Sequence, residues 1–176
     1  QRSHGIQKLT KSKKIGMWHY EVKEYGFNYR ITDIQCSLGL SQLKKLKSFV
    51  LRRRKIAAIY ETIFKNKIDY LNLPPIKDKN IFHSYHLYPI QINFKKLKVS
   101  KKLFFQNLLK KNVRLQVHYV PLYKQPFLKK FMNNNSFPVT EGYYEKAVSL
   151  PIFYNLNKKN QNRLSKVILE ELNLNY

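Results

Sequence analysis

Hydrophobic and polar positions divide the chain into two regimes. From Thr32 onward apolar residues recur at helical spacing, with Ile34 and Leu38 followed by Leu43 and Leu46, which predicts a helix with an apolar stripe. Thr32 followed by Gln35 is a capping-box pattern, and Asp33 places an acid in the first turn, where the helix dipole favours it. Ser48 is placed to cap a second helix, in which Val50, Ala57, Tyr60 and Phe64 recur on one side and Arg52 to Lys55 form a basic belt. Pro74-Pro75 ends this helical half.

Beyond the prolines the period changes. Tyr88, Ile90, Ile92 and Phe94 repeat every second residue, the pattern of a half-buried strand. Ser100 to Lys111 reads as a short helix carrying Leu103, Phe104 and Leu108, and Val113, Leu115, Val117 and Tyr119 predict a second strand stopped by Pro121. A loop through Pro126 and Asn133-Asn134-Asn135 leads to a helix start near Pro138, with Tyr144 and Ala147 following, and then to the extended piece "SLPIF". Asn157 caps a final helix whose Leu164, Val167, Ile168 and Leu172 face inward. No internal repeat is present. The sum is an α+β architecture: a small sheet covered by helices, preceded by a long helical arm.

Composition changes this picture in three places. A chain of 176 residues holds one domain, or a small domain and part of a larger one, and 43% hydrophobic with 14% aromatic residues fits a folded protein. The single Cys36 excludes an internal disulfide and fits a reducing cytoplasm. No apolar run approaches the roughly 18 residues that span a bilayer; no signal peptide is evident either, although Gln1 in place of Met leaves the natural start open. The formal net charge of +24 has several readings. Thirty-four Lys and Arg against ten acids fit a nucleic-acid footprint. They also fit a solvated lysine surface, because the lysines are spread along the chain among many asparagines, or a further portion of the protein carrying the balancing acids. The lysine surface is the reading adopted, and nucleic acid is not expected as a partner.

The chemistry on offer is limited. His83 and His86 are three apart on what the pattern makes a strand, so they point to opposite faces, and no cysteine or acid cluster accompanies them; no metal site is expected. Phosphate-loop, dinucleotide and nucleophile-elbow motifs are missing, and the acids are too scattered for paired-carboxylate work. No catalytic residue is assigned. Asn28 and Arg30 do form a potential anion grip ahead of the exposed amides of a helix N-terminus, with a turn residue and a surface charge as the plainer reading. In "QVHYVPLY", His118 and Tyr119 fall on opposite faces of the predicted strand, one free to line a pocket and the other to pack.

Seven ordered segments carry a resemblance. "RSHGI", a tryptophan-containing loop, "GFNYRITDIQCSLGLSQLKKL", "RRRKIAAIY", "HLYPI", "QVHYVPLYKQPF" and "FPVTEGYYEKAVSLPIF" resemble the C-terminal half of the DegT/StrS-type nucleotide-sugar aminotransferases. The resemblance implies the aspartate-aminotransferase-like fold (fold type I) of pyridoxal 5′-phosphate enzymes, in which a lysine holds the cofactor as a Schiff base. An amino group, usually from glutamate, then passes to a nucleotide-linked keto-sugar, in cell-surface polysaccharide or nonulosonic acid biosynthesis. It implies that residues 1–47 are the tail of the large cofactor domain with a dimer-interface loop, and that residues 48–176 are a connecting helix and small domain. It implies a cytoplasmic homodimer in which the "FNYR" segment reaches the partner's site. Asn28 then contacts the cofactor phosphate, Arg30 lies near the nucleotide-sugar, and His86, His118 and Tyr119 lie toward the substrate. The family's Schiff-base lysine matches a segment upstream of "RSHGI", so this chain alone is expected to be catalytically incomplete. Two alternatives stay open: a sugar dehydratase of the same fold, with histidine in the lysine's place, and a basic nucleic-acid-binding module.

Overall fold

The computed structural model describes residues 6–7, 21–22, 25–27, 29–74, 80–129, 131 and 137–174. Asn28, Trp18, Pro75 and the asparagines at 133–135 lie outside these. The chain divides into two compact units, Gln1–Leu46 and Lys47–Tyr176.

In the first unit, strands β1 (Ile6–Gln7) and β2 (Glu21–Val22) pair antiparallel, Ile6 opposite Val22. Helix α1 runs Asp33–Phe64, so the expected second start at Ser48 is corrected: there is one helix of 32 residues. Nothing between Leu46 and Val50 breaks a helix, and an internal serine donates locally without ending one. The capping box forms as expected: the Thr32 N–H donates to Gln35 Oε1 at 2.9 Å, and the Gln35 N–H to Thr32 Oγ1 at 3.3 Å. The apolar residues that follow are not a packed stripe. Ile34, Leu38, Leu40, Leu43 and Leu46 are all more than half exposed. At 3.6 residues per turn they fall on several sides of the helix.

The second unit has the core. Its stripe on α1 is Ile56, Tyr60 and Phe64, four residues apart and fully buried, with Ala57 beside them. After a 3₁₀ turn at Lys65–Lys67, β3 (Leu71–Asn72) pairs antiparallel with β4 (Tyr88–Ile92), and β4 pairs antiparallel with β5 (Ala147–Leu150), giving the order β3-β4-β5. Tyr88, Ile90 and Ile92 point into the core, as their alternation predicts. Phe94 does not continue the strand, because the Asn93 side chain accepts from the Lys96 N–H at 3.0 Å and starts helix α2 (Phe94–Leu97). Ser100 caps α3 (Lys101–Lys110), which buries Phe104 and Leu108 and leaves Leu103 exposed.

The strand expected from Val113 to Tyr119 is reduced to one bridge, in which the Ser149 N–H donates to Gln116 O at 2.7 Å. The available edge of β5 is only four residues long and ends at Pro151, which offers no N–H. A 3₁₀ turn (Leu122–Lys124) and helix α4 (Pro126–Lys129) follow, then α5 (Pro138–Lys146) with proline at its first turn. Helix α6 (Lys158–Glu171) starts at Asn157, whose Oδ1 accepts the Asn160 N–H at 2.8 Å. It buries Leu164, Ile168 and Leu169, along with Gln161, whose Nε2 donates to Ile56 O at 2.7 Å.

Candidate functional site

In the first unit the segment ahead of α1 is open to solvent. Tyr25, Phe27, Tyr29 and Ile31 are exposed, and the Phe27 and Tyr29 rings stack with centroids 5.1 Å apart. Arg30 is exposed two residues before the capping threonine. The capping box satisfies the Thr32 and Gln35 amides, while the amides of Asp33 and Ile34 belong to the set that a helix leaves without internal acceptors. Asn28 falls outside the described residues.

In the second unit His118 and Tyr119 sit together. The peptide between them is cis, and their rings meet edge to face at 4.7 Å. The placement on opposite strand faces is therefore corrected: no strand forms here, so alternation does not apply. His118 Nδ1 lies 2.7 Å from the Ser149 hydroxyl of β5, and Tyr119 is largely exposed. His86 is exposed on a different loop, and among the described residues no hydrogen bond or ring contact joins it to His118. The segment bearing His83 and His86 is also not a strand. His83 Nδ1 accepts the Tyr85 N–H at 3.0 Å, and Tyr85 adopts a left-handed φ of 50°.

What holds this loop is the basic belt on α1. Arg53 Nη1 donates to three carbonyls, Tyr85 O and His86 O at 3.1 Å and Ile152 O at 2.8 Å. Arg54 donates to His83 O at 3.1 Å and lies 4.2 Å over the Phe82 ring, a cation–π arrangement. Arg52 reaches the other loop, donating to the carbonyls of Tyr154 and Leu156. The expected basic belt is thus corrected for its three arginines. They are half-buried anchors of the 82–86 and 152–156 loops, and only Lys55 of the four is exposed. Beneath them Tyr60 donates to Pro151 O at 2.7 Å, and burial raises the Tyr60 and Tyr88 phenol pKa values well above the ordinary range, so both rings stay neutral.

Among the described residues no group of three or more His, Cys, Asp or Glu is placed to hold a metal, and no helix is long and apolar enough to cross a membrane. Residues 1–169 match the DegT/DnrJ/EryC1/StrS aminotransferase family. The chain belongs to that family. Within it, a UDP-4-amino-4,6-dideoxy-N-acetyl-beta-L-altrosamine transaminase of Helicobacter pylori is 35% identical over 170 residues, which is 96% of this chain and 43% of the relative. The uncharacterized protein MJ1066 of Methanocaldococcus jannaschii is 40% identical over 156 residues, covering 86% of this chain and 40% of its own length.

The fold agrees with the family. Helicobacter pylori PseC, an aminotransferase involved in pseudoaminic acid biosynthesis, superposes with a TM-score of 0.79 at 34% identity, over 98% of this chain and 44% of PseC. Spr1654 of Streptococcus pneumoniae, known in PLP and PMP forms, shares the fold in its PMP form with a TM-score of 0.78 at 24% identity, over 97% and 42% of the two chains. The chain therefore spans less than half the length of the relatives it matches.

Proposed function

We propose that this chain is the C-terminal part of a longer pyridoxal 5′-phosphate-dependent aminotransferase. Its substrate would be a nucleotide-linked keto-sugar, a UDP-4-keto sugar with glutamate as donor, destined for surface polysaccharide or nonulosonic acid. The observation that supports this most is the 35% identity to the altrosamine transaminase along nearly the whole chain. The spore coat polysaccharide biosynthesis protein SpsC of Bacillus subtilis, 33% identical over 155 residues, agrees on the polysaccharide setting. Residues 1–47 serve as the tail of the large domain and residues 48–176 as connecting helix and small domain. The enzyme works as a cytoplasmic homodimer.

The residues present fit the phosphate end of the cofactor and the substrate side. An exposed guanidinium, Arg30, precedes a first helical turn that is fixed by the Thr32–Gln35 capping box, and such a turn favours an anion. Asn28 supplies an amide toward the cofactor phosphate, and Arg30 a planar fork toward the nucleotide-sugar. When bound, the cofactor supplies the electron sink for the exchange of the amino group. His118, fixed by Ser149, and Tyr119, exposed beside it, orient the sugar; His86 does so from the loop that Arg53 holds. The exposed apolar residues at the start of α1 favour an assembly larger than this chain, since a helix that is apolar on several sides is ordinarily enclosed.

Reading the gene upstream of Gln1 tests the proposal first: a lysine at the family's cofactor position supports it, and a histidine there turns the reading to a dehydratase. In the enzyme so delimited, Asn28→Ala should weaken cofactor retention by about tenfold or more. Arg30→Ala should raise the nucleotide-sugar KM by a similar factor with little change in kcat, since each removes about 1.5–3 kcal/mol of charge-assisted hydrogen bonding. An enzyme that transfers no amino group to any nucleotide keto-sugar would overturn it.

A further inference from the structure

A cavity of about 680 Å³ opens in the second unit between the end of β4, α2, the start of α3 and the last turns of α5. That volume lies within the roughly 300–1,000 Å³ typical of small-molecule sites. Its accessible apolar side comes from the half-buried Val117 and Tyr144, with the core residues Ile92 and Phe94 closed off behind them. Its charged side is unbalanced, with Lys95, Lys101 and Lys146 set against Glu145.

Lys101 is the most constrained of these groups. Its Nζ is half-buried and donates to the carbonyls of Tyr144 at 2.6 Å and Ala147 at 3.1 Å, which tie off the C-terminal end of α5. Carbonyl acceptors hold the ammonium in place without cancelling its charge. The Tyr144 ring has cations at 5.2 Å, from Lys101, and at 5.1 Å, from Lys124. Burial lowers the Lys101 pKa, with Glu145 acting in the opposite sense. That direction marks an ammonium short of water, for which an incoming anion is a favourable replacement.

We propose that this cavity binds a small molecule with an apolar body and a dianionic head, the body against Val117 and Tyr144 and the head among Lys95, Lys101 and Lys146. Three lysines against one carboxylate suit a dianion, and the apolar side excludes a bare inorganic ion as the best-fitting occupant. The inference goes beyond the aminotransferase reading and does not rest on it.

Gly142 supplies the test. It lines the cavity from within α5, and a Cβ built there meets nothing within 4 Å. Gly142→Leu therefore projects a side chain from a Cβ position that meets no neighbour, and it replaces a weak helix former with a strong one. The full chain is titrated with 1-naphthyl phosphate in about 0.15 M salt, where loose surface attraction is screened, and followed by amide chemical shifts. Saturable shifts centred on Val117, Gly142 and Tyr144 are expected, with a Kd below about 1 mM. Inorganic phosphate and 1-naphthol should each bind at least about tenfold more weakly, and Gly142→Leu should weaken the aryl phosphate by about tenfold or more. Lys95→Glu with Lys146→Glu, both exposed, asks the same question by charge: it should weaken 1-naphthyl phosphate and leave 1-naphthol unaffected. Shifts that spread over the surface lysines without saturating, or undiminished binding by either variant, would overturn the proposal.

Discussion

The Nδ1 of His118 lies 2.7 Å from the Oγ of Ser149, which ties an irregular segment to the middle of β5. Ser149 is itself buried and faces Pro89 of β4 across the ladder, so the imidazole is referenced to the sheet and not to its own loop. Ser149→Ala should cost about 0.5–1.5 kcal/mol of folding stability, the net value of one hydrogen bond. Urea unfolding of the chain measures it. In the aminotransferase proposed above, the same change should raise the nucleotide-sugar KM and leave cofactor retention unaltered.

Arg53 and Lys55 are two residues apart and should behave very differently. Arg53→Ala leaves three carbonyls without their shared donor, two of them on the buried residues Tyr85 and Ile152. A loss of about 2–4 kcal/mol follows from that desolvation. Lys55→Ala, at an exposed position, should stay within about 0.5 kcal/mol of the parent. Equal effects in chemical denaturation would show that the charge, and not the carbonyl contacts, is what matters.

Two carboxylates among the described residues contribute to the acid limb of stability. Hydrogen bonding from Lys111, at 2.6 Å, and secondarily from Asn107 holds the Glu171 pKa below the ordinary carboxylate value. Lys124 and Tyr123 do the same for Glu141. A depressed folded-state pKa contributes stability above the unfolded value of about 4.3 and loses it as pH falls through the folded one. Stability should therefore decline from about pH 4.3 downward, and Glu171→Gln with Glu141→Gln should flatten that decline. An unchanged acid limb in the double variant would refute the assignment.

The start of α1 predicts association. Ile34, Leu38, Leu43 and Leu46 are 83, 62, 64 and 52% exposed, an arrangement that water penalises. At concentrations on the order of 100 μM the chain should sediment as more than a monomer, and Leu38→Glu with Leu43→Glu should restore the monomer. A strictly monomeric parent would count against the proposed assembly.

Legibility in the sequence followed the range of the forces involved. The Thr32, Ser100 and Asn157 caps, the alternation in β4 and the inward face of α6 are local, and each could be read from a few neighbouring residues. The strand at 113–119 failed because pairing depends on the length of a partner edge 30 residues away. The break at Ser48 failed because a cap residue caps only where the helix has another reason to stop. His118 was noticed, while Ser149, which holds it, carried no signal beyond belonging to an extended piece. Arg52, Arg53 and Arg54 could be read only as a basic belt, because their acceptors are carbonyls, which no side-chain pattern reports.

That last feature has a consequence for how such a scaffold can diversify. A guanidinium bound to carbonyl oxygens grips atoms that every amino acid possesses. The three arginines thus moor the loops at 82–86 and 152–156 chiefly by their peptide groups, and those hydrogen bonds do not depend on the side chains displayed, the ring of Phe82 under Arg54 being the exception. Replacements at the exposed His86 or Phe153 can alter the face these loops show without removing the hydrogen bonds that hold them. Three consecutive codons in one helix fix the frame, and much of what it frames is left free to change.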